Sequence, residues 1–193
     1  MQPRLLPVRS FSDLVAWFRD QPDPTGSWQI EPKLDGWRVQ LLKRHGQVAA
    51  YTRHGQSLAE FVSLQPLLAA LQQLPFDLAW DGELIEPAGR ARLIAARAQL
   101  RPVQVWLFDW LLPGLTLRAR QAQLAQVLLR YPFLPGTQLV PRWDPTQLDQ
   151  VQTWAQAMPQ VEGWVLKRTA SYYRLGRLGP ICTPDWLKVK LWA

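Results

Sequence analysis

The chain has 193 residues, 48% of them hydrophobic, enough for one domain with a substantial core and too few for two full ones. Lysine plus arginine outnumber aspartate plus glutamate by 22 to 15, and the resulting charge of +7 favours a polyanionic partner through phosphate neutralisation and counterion release. The single Cys182 excludes an internal disulfide framework and a cysteine zinc site, no run approaches the roughly 20 apolar residues of a membrane span, and the Met1, Gln2, Pro3, Arg4 start lacks a signal-peptide core; we therefore expect a cytoplasmic, intracellular protein.

Ser12 is an N-cap candidate for a helix carrying Leu14, Val15, Trp17 and Phe18, which the Pro22 to Gly26 loop ends. Trp28 to Pro32 is rich in aromatic and β-branched residues and reads as a strand ending in Lys33, with a turn signal at Asp35 and Gly36. Trp37, Val39 and Leu41 then alternate with Arg38 and Gln40 as a half-buried return strand, so Lys33 is expected near a hairpin corner. Ser57 is placed to cap a helix with Leu58, Phe61 and Val62, and beyond Pro66 the series Leu67, Leu68, Leu71, Leu74 marks a buried helical stripe. Asp81 and Gly82 read as a turn that sets Glu83 at the start of a strand. A helix is expected at 91–100, a strand at 105–111 and a second helix at 116–131 burying Leu117, Leu124, Val127 and Leu128. Asp144 with Pro145 starts another, leading to Leu148, Val151 and Trp154. Glu162 precedes the strand Gly163 to Lys167, and Lys188 and Lys190 alternate around Val189 on one face of a last strand. Strands and helices intermixed without regular strand-helix-strand repetition argue for an α+β fold of antiparallel sheets packed with helices.

A lysine amine attacks phosphorus only when unprotonated, which requires desolvation or nearby cations that lower its pKa from about 10.4. Lys33 is the candidate nucleophile, and the paired amines of Lys188 and Lys190 suit both phosphate binding and depression of its pKa. The other use of such lysines is protection of an edge strand. Carboxylates beside a polyanionic substrate act chiefly through Mg²⁺ or a sugar hydroxyl, which makes Glu83 and Glu162 candidates.

Six segments, around Lys33 (Glu31 to Arg38), Arg53 (Tyr51 to Gly55), Glu83 (Asp81 to Ile85), Phe108 (Val105 to Asp109), Glu162 (Val161 to Lys167) and Lys188 (Trp186 to Lys190), stand in the order seen in the covalent nucleotidyltransferase superfamily. From about Glu31 to Trp192 the chain most resembles the adenylation domain of ATP-dependent DNA ligases. The resemblance implies two antiparallel sheets flanked by helices with a nucleotide cleft between them, an ATP-grasp-like nucleotidyltransferase domain occupying residues 1–193, with no OB-fold domain in this chain.

It further implies ATP and Mg²⁺ as cofactors, AMP carried covalently on Lys33, and nicked double-stranded DNA as the partner, with roles in DNA repair and replication. Glu31 matches the position that accepts a hydrogen bond from the adenine amino group, and Phe108 the aromatic that stacks on the base, with Trp106 the competing stacker. Arg38 and Arg53 match arginines near the ribose, the nucleotide phosphate or the 5′-phosphate of a nick. Glu83 is implied for ribose or metal, Glu162 for metal, Lys188 and Lys190 for phosphate, and Arg174 and Arg177 for DNA phosphate contacts, whereas Asp35 organises its turn. Family ligases continue into an OB-fold domain that orients pyrophosphate and clamps DNA. Ala193 stands three residues after Lys190, so we expect a monomer of reduced self-adenylation activity served by a separate OB-fold or clamp-supplying protein. RNA ligases and other nucleotidyltransferases share the lysine, and a non-catalytic nucleic-acid-binding module is the alternative from another class.

Overall fold

Stretches of alternating burial give strands and stretches of helical burial give helices in the computed structural model, which describes residues 11–20, 26–176, 179–180 and 184–190. The helices are α1 (Phe11–Arg19), α2 (Gln65–Gln72), α3 (Leu93–Ala98), α4 (Leu117–Arg130) and α5 (Leu148–Ala157). The strands are β1 (Trp28–Leu34), β2 (Trp37–Arg44), β3 (Gln47–Thr52), β4 (Leu78–Ile85), β5 (Gln104–Trp110), β6 (Thr137–Leu139), β7 (Val161–Arg168), β8 (Leu175–Gly176), β9 (Gly179–Pro180) and β10 (Trp186–Lys190).

They build two principal sheets. In the first, of order β1-β7-β10, Ile30, Trp164, Leu166, Leu187 and Val189 form one face and bury against Leu14 and Phe18 of α1 and Val151 of α5. Period two then puts Gln29, Glu31, Lys33, Lys167 and Lys188 on the opposite face. In the second sheet, of order β3-β2-β4-β5-β6, Val39, Leu41, Trp80, Leu84, Val105 and Leu107 pack on Leu67 and Leu71 of α2, Leu93 of α3 and Leu124 of α4. Each such fully buried large side chain contributes about 1.5–3 kcal/mol. The uncovered face carries Arg38, Asp81 and Glu83. The polar faces of the two sheets turn toward each other, and a small apolar cluster of Leu34, Ile85, Trp106 and Val140 joins them at one end.

Several elements differ from the sequence expectation. β1 and β2 are not a hairpin: β1 pairs with β7, and β2 with β3 and β4. Asp35 and Gly36 carry the chain from one sheet to the other, passing so close to the Leu84 carbonyl that a Cβ at Gly36 would collide with it. The hairpin is β2-β3, closed by His45 and Gly46, both at positive φ, as a two-residue primed turn requires. Asp81 and Gly82 form no turn; they lie inside β4, where a Cβ at Gly82 would stand 2.9 Å from the Trp106 carbonyl oxygen of β5. Ser57 bridges to Tyr51 instead of opening a helix, which begins at Gln65 with Pro66 in its first turn, and Ser12 falls inside α1, whose first residue is Phe11. The second sheet is antiparallel except for β6, parallel to β5 because α4 forms the crossover between them. The cap at Asp144 stands as expected, as a full capping box with Gln147, and Thr116, placed inside the expected helix, is instead the N-cap of α4.

Candidate functional site

Two bulges, one in each sheet, re-aim side chains into the space between the sheets. In the pairing of β1 with β7, Lys33 faces Gly163 and Leu34 faces Val161, leaving Glu162 as the extra residue. In that of β4 with β5, Asp81 faces Asp109 and Gly82 faces Leu107, leaving Phe108 as the extra residue. A bulge bends its strand and rotates the unpaired residue out of the regular alternation.

At the first bulge the Lys33 ammonium pairs with the Glu162 carboxylate, and both side chains keep partial access to solvent. Gly163 has Lys33 on one side and position 190 on the other, so no side chain stands between those two positions across the sheet. Glu83 of β4 completes this end. Burial raises its pKa to about 7 against the opposing pull of Lys33, Arg38 and the Gly36 amide.

At the second bulge the Phe108 ring is half-buried and ringed by cations. The Arg38 guanidinium lies 5.7 Å from its centroid and the Lys167 ammonium 4.5 Å, while the same ammonium lies 4.1 Å from the Trp186 ring. Lys167 is buried and pairs with Glu31 at 2.5 Å. Glu31 also accepts from Gln29 Nε2 at 2.6 Å and Gln121 Nε2 at 2.7 Å. Trp106, the alternative stacker, is packed in the apolar cluster against Trp154, its indole N–H spent on Gln104, which leaves Phe108 as the ring on the polar side.

Arg38 is locked from behind. Its Nε donates to Asp81 Oδ1 at 2.9 Å, and its Nη2 both pairs with Oδ2 and donates to the Tyr173 hydroxyl at 2.9 Å. Burial works against the guanidinium charge, but Asp81 outweighs it and holds the group more firmly protonated than usual. The Tyr173 hydroxyl donates to Asp81 at 2.7 Å, and burial beside that carboxylate pushes its pKa up. A second buried pair, Asp109 with Arg120, ties β5 to α4, and Arg120 also donates to the carbonyls of Leu115 and Ser171.

Lys33, Glu162, Glu83, Arg38, Phe108 and Glu31 thus meet through shared partners. Lys188 is exposed on the same sheet face as Lys33 and Lys167. Arg53 is exposed just beyond β3, next to Thr52, which pairs with Val39, and Arg174 is exposed before β8. The Lys190 side chain and Arg177 lie outside the described residues. Lys167, Asp81, Tyr173 and Gln121 were not singled out from the sequence. The even spacing of Gly163, Val165 and Lys167 along β7 is the one signal that marks Lys167 as a neighbour of the Lys33 face.

Among the described residues no group of three or more His, Cys, Asp or Glu could cage a metal ion. Mg²⁺ ordinarily needs only one or two carboxylates together with substrate phosphates, and Glu83 and Glu162, both against Lys33, fit that mode. No described helix is long and apolar enough to cross a membrane.

No family model matches the chain. It is 27% identical over 175 residues to the multifunctional non-homologous end joining protein LigD of Mycolicibacterium smegmatis, covering 86% of this chain and 22% of that protein. It is 37% identical over 76 residues to DNA ligase C1 of the same organism, 37% of this chain and 21% of the other. The chain therefore spans about a fifth of the length of each curated relative. A solved mycobacterial DNA ligase D complexed with ATP and MES superposes with a TM-score of 0.66 at 24% identity, over 86% of this chain and 55% of that one. The chain has the nucleotidyltransferase-domain fold of ATP-dependent DNA ligases, two sheets flanked by helices.

Proposed function

We propose that the chain is the catalytic core of an ATP-dependent DNA ligase, acting on ATP and on nicked double-stranded DNA through a lysyl-adenylate. The observation that carries this is the meeting, in one cleft, of Lys33 with two carboxylates at one end and of a cation-ringed aromatic with a buried carboxylate at the other. A triphosphate needs the first end and a flat base the second.

In the first step Lys33 Nζ attacks the α-phosphorus of ATP. A nitrogen–phosphorus bond forms, the bond from phosphorus to the bridging oxygen breaks, and pyrophosphate departs. Glu162 touches the amine, and the proton that Nζ loses leaves to solvent, to which both side chains keep partial access. Glu83 and Glu162 would hold Mg²⁺, which would supply charge neutralisation on the phosphoryl oxygens. Arg38, fixed by Asp81 and Tyr173, presents its guanidinium beside the Phe108 ring, where ribose and α-phosphate extend from a stacked base. Phe108 stacks the adenine and Glu31 accepts from its amino group. The 5′-phosphate of a nick then attacks the same phosphorus and releases Lys33, and the 3′-hydroxyl displaces AMP to seal the strand. Lys188 and position 190 contribute phosphate contacts, and the exposed Arg53 and Arg174, with Arg177, contact DNA phosphates. The protein acts as a monomer on the nicked duplex.

Sealing assays test this reading. The chain should seal a nicked duplex bearing a 5′-phosphate with ATP and Mg²⁺, seal a pre-adenylated nick faster, and act poorly on the all-RNA counterpart. Failure on both DNA substrates, or a preference for the RNA nick, contradicts it.

A further inference from the structure

Gln121 occupies a position in α4 where packing alone calls for an apolar residue. Leu117, Gln121 and Leu124 fall at i, i+4 and i+7 on the buried stripe of the helix, and all three are fully or almost fully buried. A buried amide is tolerated only when its polar atoms find partners. This one finds four. Nε2 donates to Glu31 Oε1 at 2.7 Å and to the Phe108 carbonyl oxygen at 2.9 Å, and Oε1 accepts from Gln29 Nε2 at 3.0 Å and Arg142 Nη1 at 2.9 Å. Two acceptors on one side and two donors on the other fix the amide's orientation, because the flipped amide would oppose donor to donor and acceptor to acceptor.

We propose that Gln121 is a positioning residue for base selection: a single buried amide sets the Glu31 acceptor of β1 against the Phe108 backbone of β5, across the two sheets. This rests on the proposed function, in which Glu31 accepts from the adenine amino group. Gln121 and Gln29 both donate to Oε1 and Lys167 pairs with Oε2, so the carboxylate has one orientation and acts only as an acceptor. Guanine presents a carbonyl oxygen where adenine presents its amino group, and two acceptors then face each other. The distance between the stacking ring and that acceptor decides how well the amino group is read, and Gln121 is the side chain hydrogen-bonded to the acceptor and to the backbone carbonyl of the residue that carries the ring.

A two-by-two comparison tests this, with parent and Gln121→Met each labelled at Lys33 by ATP and by purine riboside triphosphate, which lacks the 6-amino group. The parent should prefer ATP by about tenfold or more in KM, as a hydrogen bond to a charged acceptor implies. In Gln121→Met the preference should fall to about twofold because ATP weakens while the analogue does not, and the labelling rate at saturation should stay close to the parent's. Gln121→Asn, which keeps an amide but withdraws it from Glu31, should behave the same way. Equal weakening of both nucleotides, an unchanged preference, or failure of both variants to fold makes Gln121 structural and overturns the proposal. Absence of labelling in the parent by either nucleotide overturns the proposed function instead, whereas parental labelling without a preference for ATP overturns the base-selection role alone.

Discussion

Glu83 couples the site's chemistry to the protein's stability. Burial raises its pKa from about 4.5 to about 7 in the folded state, so between those values the native protein binds more protons than the unfolded chain. Stability from this group is therefore fully present below about pH 4.5 and lost as the pH rises through about 7. Glu83→Gln should melt at a higher temperature than the parent at pH 8 and at nearly the same temperature at pH 4.5, as thermal unfolding monitored across that range will show. A difference that grows toward acid would contradict the assignment. At the same scale, Tyr173→Phe removes a hydroxyl that accepts from Arg38 and donates to Asp81, and should cost about 1–2 kcal/mol in denaturant unfolding.

Between elements, buried ion pairs and close approaches do what local sequence does not announce. Arg120 and Asp109 are both fully buried, so Arg120→Met strands a carboxylate and should cost about 3–5 kcal/mol, whereas the double variant Arg120→Met with Asp109→Leu should recover much of that loss. Gly82→Ala forces a Cβ toward the Trp106 carbonyl at the bulge and should destabilise by about 1–3 kcal/mol in the same assay. These two sites also mark where sequence patterns stop being informative. The strands around Lys33 and Glu162, the leucine stripe of α2 and the cap at Asp144 follow from period and local hydrogen bonding, which a single segment carries. Which strand pairs with which is decided by contacts far apart in the chain. Asp-Gly pairs at 35–36 and 81–82 looked alike as turn signals, yet the first joins two sheets and the second lies inside a strand, each glycine answering a neighbouring backbone carbonyl. For the same reason Gln121 had no local signature as a site residue, and Lys167 had only its even spacing from Gly163: their roles exist only after β1, β5, β7 and α4 have met.

Across the whole molecule, the six segments that carry the ligase resemblance sort into a division of labour between sheets. The three-stranded sheet contributes Glu31, Lys33, Glu162, Lys167 and Lys188, and the five-stranded sheet contributes Arg38, Glu83 and Phe108, so neither sheet carries all of the candidate site residues. The apolar cluster of Leu34, Ile85, Trp106 and Val140 and the Gln121 amide join the two halves. The central claim is that this cleft places AMP on Lys33. Incubation with ATP and Mg²⁺ followed by intact and peptide mass spectrometry should show the gain of one adenylate, located on Lys33 and absent from Lys33→Ala; an unmodified chain at saturating ATP, or an adduct that survives the substitution, would contradict it.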